Sequence, residues 1–144
     1  MRLDSIDEYM SLESAGIVEV VREGVPALAI DSLARAMGVP RAQLMAWMGW
    51  SVASVERKIR ARATLSKSAG GQVLSTIRLI SQVQRMVHES GNSEGFDAAI
   101  WLANWLKESS PALGCVPPGE YMDTAEGFNL LSDTLARMQS GAYV

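Results

Sequence analysis

One histidine, one cysteine and sixteen carboxylates are the groups in this 144-residue chain from which covalent or acid–base chemistry would start. His88 falls near the end of a helical stretch, where an imidazole is ordinarily solvated or rests against the negative end of the helix. Cys115 stands between Gly114 and Val116 in a loop, and a Cys–His pair is weighed there against a small apolar filler. A lone histidine and a lone cysteine cannot assemble a zinc cluster. Neither a phosphate-binding glycine loop nor a dinucleotide fingerprint is present, and the carboxylates are unaccompanied by another catalytic feature. The expectation is a chain that is not an enzyme, with no cofactor and no metal.

The charged residues say more about binding. Between residues 32 and 67 lie Arg35, Arg41, Arg57, Lys58, Arg60, Arg62 and Lys67, opposed by Glu56 alone. Between residues 94 and 133 lie Glu94, Asp97, Glu108, Glu120, Asp123, Glu126 and Asp133, opposed by Lys107 alone. A net charge of −3 therefore conceals a basic half suited to a polyanion and an acidic half suited to something else, or two solvated faces. With a single cysteine, no apolar run at Met1-Arg2-Leu3-Asp4 and none long enough to span a bilayer, the expectation is a cytoplasmic protein without a membrane role.

The elements that must position these residues read as helices throughout, since no segment alternates with period two. Ser5 with Glu8 opens a first helix to about Ser14; a second spans Ile17 to Arg22; Asp31 or Ser32 caps a third that ends at Gly38. Arg41 to Met48 stops at Gly49, and Ser51 caps Val52 to about Arg62, with Val55 and Ile59 turned inward. A long helix from Gln72 to Glu89 follows an Ala69-Gly70-Gly71 stretch expected to fray or hinge. Ser93 caps the next helix, through Leu106. Residues 109–119 form a fixed loop, and Asp123 with Glu126 opens a final helix carrying Phe128, Leu131, Leu135 and Met138 inward. Trp101 with Trp105, like Trp47 with Trp50, reads as core or dimer contact rather than a cofactor box.

The stretch from Met37 to Lys58 resembles the helix-turn-helix of the Cro/phage-repressor group: Gly49 permits the turn, Leu44, Met48 and Val55 pack the two helices, and Ser51 caps the second. Met45 departs from the small residue usual at its position. An overlapping frame built on Ala34, Gly38 and Leu44 would put Met45, Trp47 and Met48 on the reading helix and is rejected. The resemblance implies that Ser51, Val52, Ala53, Ser54 and Arg57 face the major groove, with Arg57 suited to guanine and Val52 and Ala53 to a thymine methyl. It implies too that Arg41, Lys58, Arg60 and Arg62 hold phosphates.

From Ala99 onward, Trp101-Leu102, Pro111-Ala112-Leu113-Gly114, Pro117, Met122-Asp123-Thr124, Gly127, Leu131, Leu135, Arg137 and Gly141-Ala142-Tyr143 resemble the toxin-binding domain of the Xre/MbcA/ParS antitoxins. Gly24-Val25-Pro26 to Leu33-Ala34 resembles the same family, while Ser110 and the Ala69-Gly70-Gly71 stretch depart from it. The resemblance implies an all-α chain: a helix-turn-helix domain at 1–66, a connecting long helix at 67–91 and a toxin-binding domain at 92–144. It implies as partners a RES-domain toxin that degrades NAD and the operator DNA of its own operon, with a homodimer alone and a larger complex with toxin. The tail Ala142-Tyr143-Val144, backed by Arg137, Gln139, Ser140 and Gly141, is a candidate plug for the toxin's NAD site; the alternative is that Tyr143 folds back on Leu135 or Met138. A stand-alone transcription regulator with a helical dimerisation domain is the competing function.

Overall fold

The computed structural model describes residues 5–91 and 93–141. Eight α-helices carry the chain among these residues: α1 (Ile6–Met10), α2 (Ser14–Glu23), α3 (Ala29–Met37), α4 (Arg41–Met48), α5 (Val52–Arg60), α6 (Lys67–Glu89), α7 (Ala98–Lys107) and α8 (Ala125–Ser140). Short 3₁₀ turns at Pro111–Leu113 and Pro118–Tyr121 interrupt the link from α7 to α8. The only β pairing among the described residues is two isolated antiparallel bridges, Pro26 with Thr64 and Ser110 with Val116.

The long α6 is the organising element. It packs against α1, α2 and α3 on one side of the chain order and against α7 and α8 on the other. Its Val73, Leu74, Ile77, Ile80 and Val83 are buried, a stripe at helical spacing. Leu102 and Leu106 of α7 and Leu131 and Leu135 of α8 are fully enclosed, as are Ile30 and Leu33 of α3. Each such leucine stabilises the fold by roughly 1.5–3 kcal/mol over an exposed one. Because α3 also packs directly on α7, the basic and acidic halves share one core.

Several element boundaries differ from the sequence reading, each for a local reason. The first helix ends at Met10, because the Ser11 hydroxyl takes the Glu8 carbonyl at 2.7 Å. The second then begins at Ser14 rather than Ile17. Tight turns from Ala29 N–H to the Pro26 carbonyl and from Ile30 N–H to the Ala27 carbonyl start α3 early, so Asp31 lies inside its first turn instead of capping it. At α7 the cap is Asp97, accepting the Ile100 N–H at 3.1 Å, not Ser93. At α8 it is Thr124, accepting the Gly127 N–H at 2.9 Å, one residue after Asp123.

The Ala69-Gly70-Gly71 stretch does not fray. Ser66 caps α6 by accepting the Ala69 N–H at 3.1 Å, and both glycines lie within the helix. Gly70 is buried because α6 runs close to Val25: a β-carbon on Gly70 would sit 3.0 Å from Val25 Cγ2. The missing side chain serves close packing here, not flexibility.

Candidate functional site

The turn between α4 and α5 is built as the sequence suggests. Gly49 adopts φ 74° and ψ 28°, left-handed values that a side chain disfavours. The chain closes behind it with Trp50 N–H on the Met45 carbonyl at 3.0 Å. Ser51 then caps α5, its hydroxyl accepting the Ser54 N–H at 3.4 Å. Only Val55 of α5 is buried, with Ile59 half-buried behind it.

The opposite face is open. Ser51, Val52, Ala53, Ser54, Arg57, Arg60 and Arg62 are exposed and Lys58 is half-buried. Val52 is 47% exposed, an apolar side chain at a helix start without a role in the core. The helix stops at Arg60, two residues earlier than expected, through a hydrogen-bonded reversal: Arg62 N–H meets the Ile59 carbonyl at 3.1 Å and Ala63 N–H the Lys58 carbonyl at 2.9 Å. Arg62 occupies the left-handed position with φ 54°, a place glycine usually takes. Beyond it, Leu65 N–H bonds the Val25 carbonyl and Ala27 N–H the Ala63 carbonyl, tying the exit of α5 to the entry of α3.

Arg41 differs from the other cations. Its Nε and Nη2 donate to the two carboxylate oxygens of Asp31 at 2.6 and 2.9 Å. That hydrogen-bonded carboxylate raises the arginine's pKa above its usual value.

The turn is also gripped from the C-terminal side. Gln72 of α6 donates to the Met48 carbonyl at 3.0 Å and to the Met122 carbonyl at 3.1 Å, and accepts the Trp50 indole N–H at 2.8 Å. Gly119 lies so close beneath Trp47 that a β-carbon would collide with its indole ring, and a β-carbon on Gly49 would touch Asp123 Cβ at 3.4 Å. Sequence reading missed Gln72 and Gly119, because nothing in their local spacing sets them apart.

In the C-terminal module, α8 starts against the Pro118–Tyr121 turn, where a β-carbon on Gly127 would strike the Tyr121 carbonyl. Gln82 and Ser132 exchange two hydrogen bonds across α6 and α8, at 2.9 and 2.8 Å. Gln139 donates to Glu89 at 2.8 Å, while Arg137, Ser140 and Gly141 are exposed at the end of α8. Met138, expected in the core stripe, is instead 39% exposed, and Leu130 is 36% exposed. The candidate tail at Ala142, Tyr143 and Val144 lies outside the described residues. Trp101 and Trp105 are half-buried and stack at 6.2 Å between ring centres. His88 and Cys115 are both exposed. Among the described residues no helix is long and apolar enough to cross a membrane.

An outward-facing capped helix after a glycine turn, buttressed by a second helical module, defines a helix-turn-helix protein with an appended helical module. Comparison with known proteins specifies which. Residues 16–78 match the antitoxin Xre-like helix-turn-helix domain, and residues 96–141 match the antitoxin Xre/MbcA/ParS C-terminal toxin-binding domain. The chain is 36% identical over 138 residues to the Prs ADP-ribosylating antitoxin of Sphingobium sp. (strain YBL2), covering 94% of this chain and 87% of that protein. The chain belongs to the Xre/MbcA/ParS antitoxin family, and its partner is a toxin protein.

Proposed function

We propose that this antitoxin silences a RES-domain toxin that consumes NAD, by covering its active site, and represses its own operon through α5. The observation that carries the DNA half is the open face of α5, where Ser51, Val52, Ala53, Ser54 and Arg57 are exposed while Val55 anchors the helix from behind. Arg60 and Arg62 continue that face as phosphate contacts, with Lys58 beside them. Reading helices act in pairs because one alone discriminates poorly, so the DNA-bound form is a homodimer on a repeated or palindromic site.

The toxin half rests on the match of residues 96–141 to a toxin-binding domain. The relative's name attaches ADP-ribosylation to that protein. Transfer of ADP-ribose and degradation of NAD both break the bond to nicotinamide, so either chemistry suits a toxin held by this chain. The protein acts in the cytoplasm, as a larger complex when toxin is bound, and performs no catalysis itself.

The test is co-expression with the adjacent open reading frame. The two products are expected to co-purify, and NAD loss in the purified mixture is expected to fall to background as the antitoxin reaches its binding ratio. Undiminished NAD loss in a formed complex would remove the inhibitory half of this reading. A gel-shift titration showing no preference for the DNA upstream of its own gene would remove the other half.

A further inference from the structure

We propose that Gln72 is the positioning residue that sets the DNA-reading helix in register with the C-terminal module. The proposal rests on the reading of α5 as the DNA contact. One side-chain amide joins two stretches of chain that are distant in sequence: the α4–α5 turn, through the last carbonyl of α4 at Met48 and the indole of Trp50, and the carbonyl of Met122 just before α8. The partners allow a single orientation of the amide. An indole N–H can only donate and so faces Oε1, whereas two carbonyls can only accept and so face Nε2. Both amide protons are used, and the half-buried site strengthens each bond over its value in water.

The geometry around the hub is equally close. Trp47 rests on Gly119 and the turn glycine faces Asp123, so the turn of the DNA-binding half lies directly on the 119–123 segment. That segment leads into the Thr124 cap of α8 and carries the Tyr121 carbonyl on which Gly127 abuts. A displacement of the α8 start moves the Met122 carbonyl, and Gln72 passes that displacement to the Met48 carbonyl and the Trp50 indole of the α4–α5 turn. Coupling of this kind is reciprocal: DNA on α5 must also steady the 119–127 segment.

Gln82 supplies the control. It lies on the same helix, is half-buried, and makes two hydrogen bonds to Ser132 of α8, but none to the turn. Gln72→Met and Gln82→Met each remove an amide while keeping length and apolar bulk. Each variant and the wild-type chain are titrated with the duplex upstream of their own gene and with random duplex, at several salt concentrations. Gln72→Met is expected to lose about tenfold in preference, the size of one misplaced base contact, while the salt slope stays unchanged. Gln82→Met is expected to keep both. Hydrogen exchange gives a second readout: the upstream duplex slows amides of residues 119–127 in the wild type and in Gln82→Met, but not in Gln72→Met. Trp50→Phe, which removes the indole donor along with part of the ring's bulk, is expected to show a smaller loss of the same kind. Retained preference in Gln72→Met overturns the proposal, as does an equal loss in Gln82→Met, which would indicate general loosening. A wild-type chain without preference removes the DNA reading itself, a result distinct from either.

Discussion

Arg41 and Asp31, ten residues apart, meet in a two-point ion pair, Nε to Oδ1 at 2.6 Å and Nη2 to Oδ2 at 2.9 Å. The pair staples the first turn of α4 to the first turn of α3, and its side chains remain about a third exposed. Partial exposure limits its contribution to about 0.5–1 kcal/mol. The pair raises the Arg41 pKa, so this cation is fully charged at every pH below its unfolded value. The arginine's part of this contribution is therefore flat across the neutral range and is lost as strong alkali titrates the guanidinium.

For DNA, the same pair means that Arg41 brings less free charge than its neighbours. Each phosphate a protein neutralises steepens the dependence of log affinity on log salt by about 0.9. Arg41→Ala is expected to change that slope by less than one full contact. Asp31→Asn, by releasing the guanidinium, is expected to tighten binding to all sequences and steepen the slope. Fluorescence anisotropy at four salt concentrations reads both. Weaker binding by Asp31→Asn would show instead that the carboxylate aims Arg41 at its phosphate.

Arg57 is exposed on the open face of α5, nearly two turns beyond the Ser51 cap, where a forked guanidinium can reach a guanine edge. Arg57→Ala is expected to reduce preference for the upstream duplex by about 1–3 kcal/mol, roughly 5- to 150-fold, with melting temperature unchanged. A gel-shift series against random duplex measures it. Equal weakening on both DNAs would make Arg57 a phosphate contact.

Gly70 and Gly71 are adjacent in α6 and are expected to respond oppositely to alanine. At Gly71 a β-carbon meets nothing within 4 Å, so Gly71→Ala gains helix propensity, up to about 1 kcal/mol. At Gly70 the β-carbon meets Val25 Cγ2 at 3.0 Å and Cβ at 3.3 Å, and Val25 is itself buried with little room to turn away. Overpacking of about 1–3 kcal/mol then outweighs the propensity gain, and Gly70→Ala is net destabilising. For a chain this size, 1 kcal/mol shifts the melting temperature by roughly 2–4 °C. Thermal unfolding followed by circular dichroism should therefore separate the two variants in opposite directions from wild type.

What the sequence made legible divides along the range of the interactions. The helical fold, the glycine turn at Gly49 and the Ser51 cap depend on residues within four positions of one another, and these were readable. Cap choice was less so: Ser93 against Asp97 and Asp123 against Thr124 are chemically equivalent candidates, decided by where the helix must dock to bury Leu102 or Leu131. Gly70 misled because propensity speaks for flexibility, while its actual role depends on Val25, forty-five positions away. The end of α5 near Arg62 was legible, but not its stop at Arg60, because Arg62 itself takes a left-handed conformation that a residue of its type rarely adopts. The Arg41 pair and the Gln72 hub are long-range, and no periodicity announces either.

The chain beyond Gly141 offers the sharpest test of the toxin-binding half. Gly141 closes α8 in the left-handed conformation, φ 75°, with its N–H on the Arg137 and Met138 carbonyls. Truncation after Gly141 removes Ala142, Tyr143 and Val144 while leaving that cap intact, so any loss of function cannot be assigned to fraying of α8. A small segment of Ala142, Tyr143 and Val144 beyond the helix end suits a concave, largely apolar pocket. Leu130 and Met138 of α8 are also partly exposed and are expected to add apolar contact with the toxin independently of the tail. The truncated antitoxin is therefore expected to retain toxin in a pull-down, with affinity reduced about tenfold or less, yet to leave NAD consumption running. Nicotinamide release by the purified complex measures this directly. Complete inhibition by the truncated chain would assign the block to Arg137, Gln139, Ser140 and the exposed face of α8 rather than to the tail.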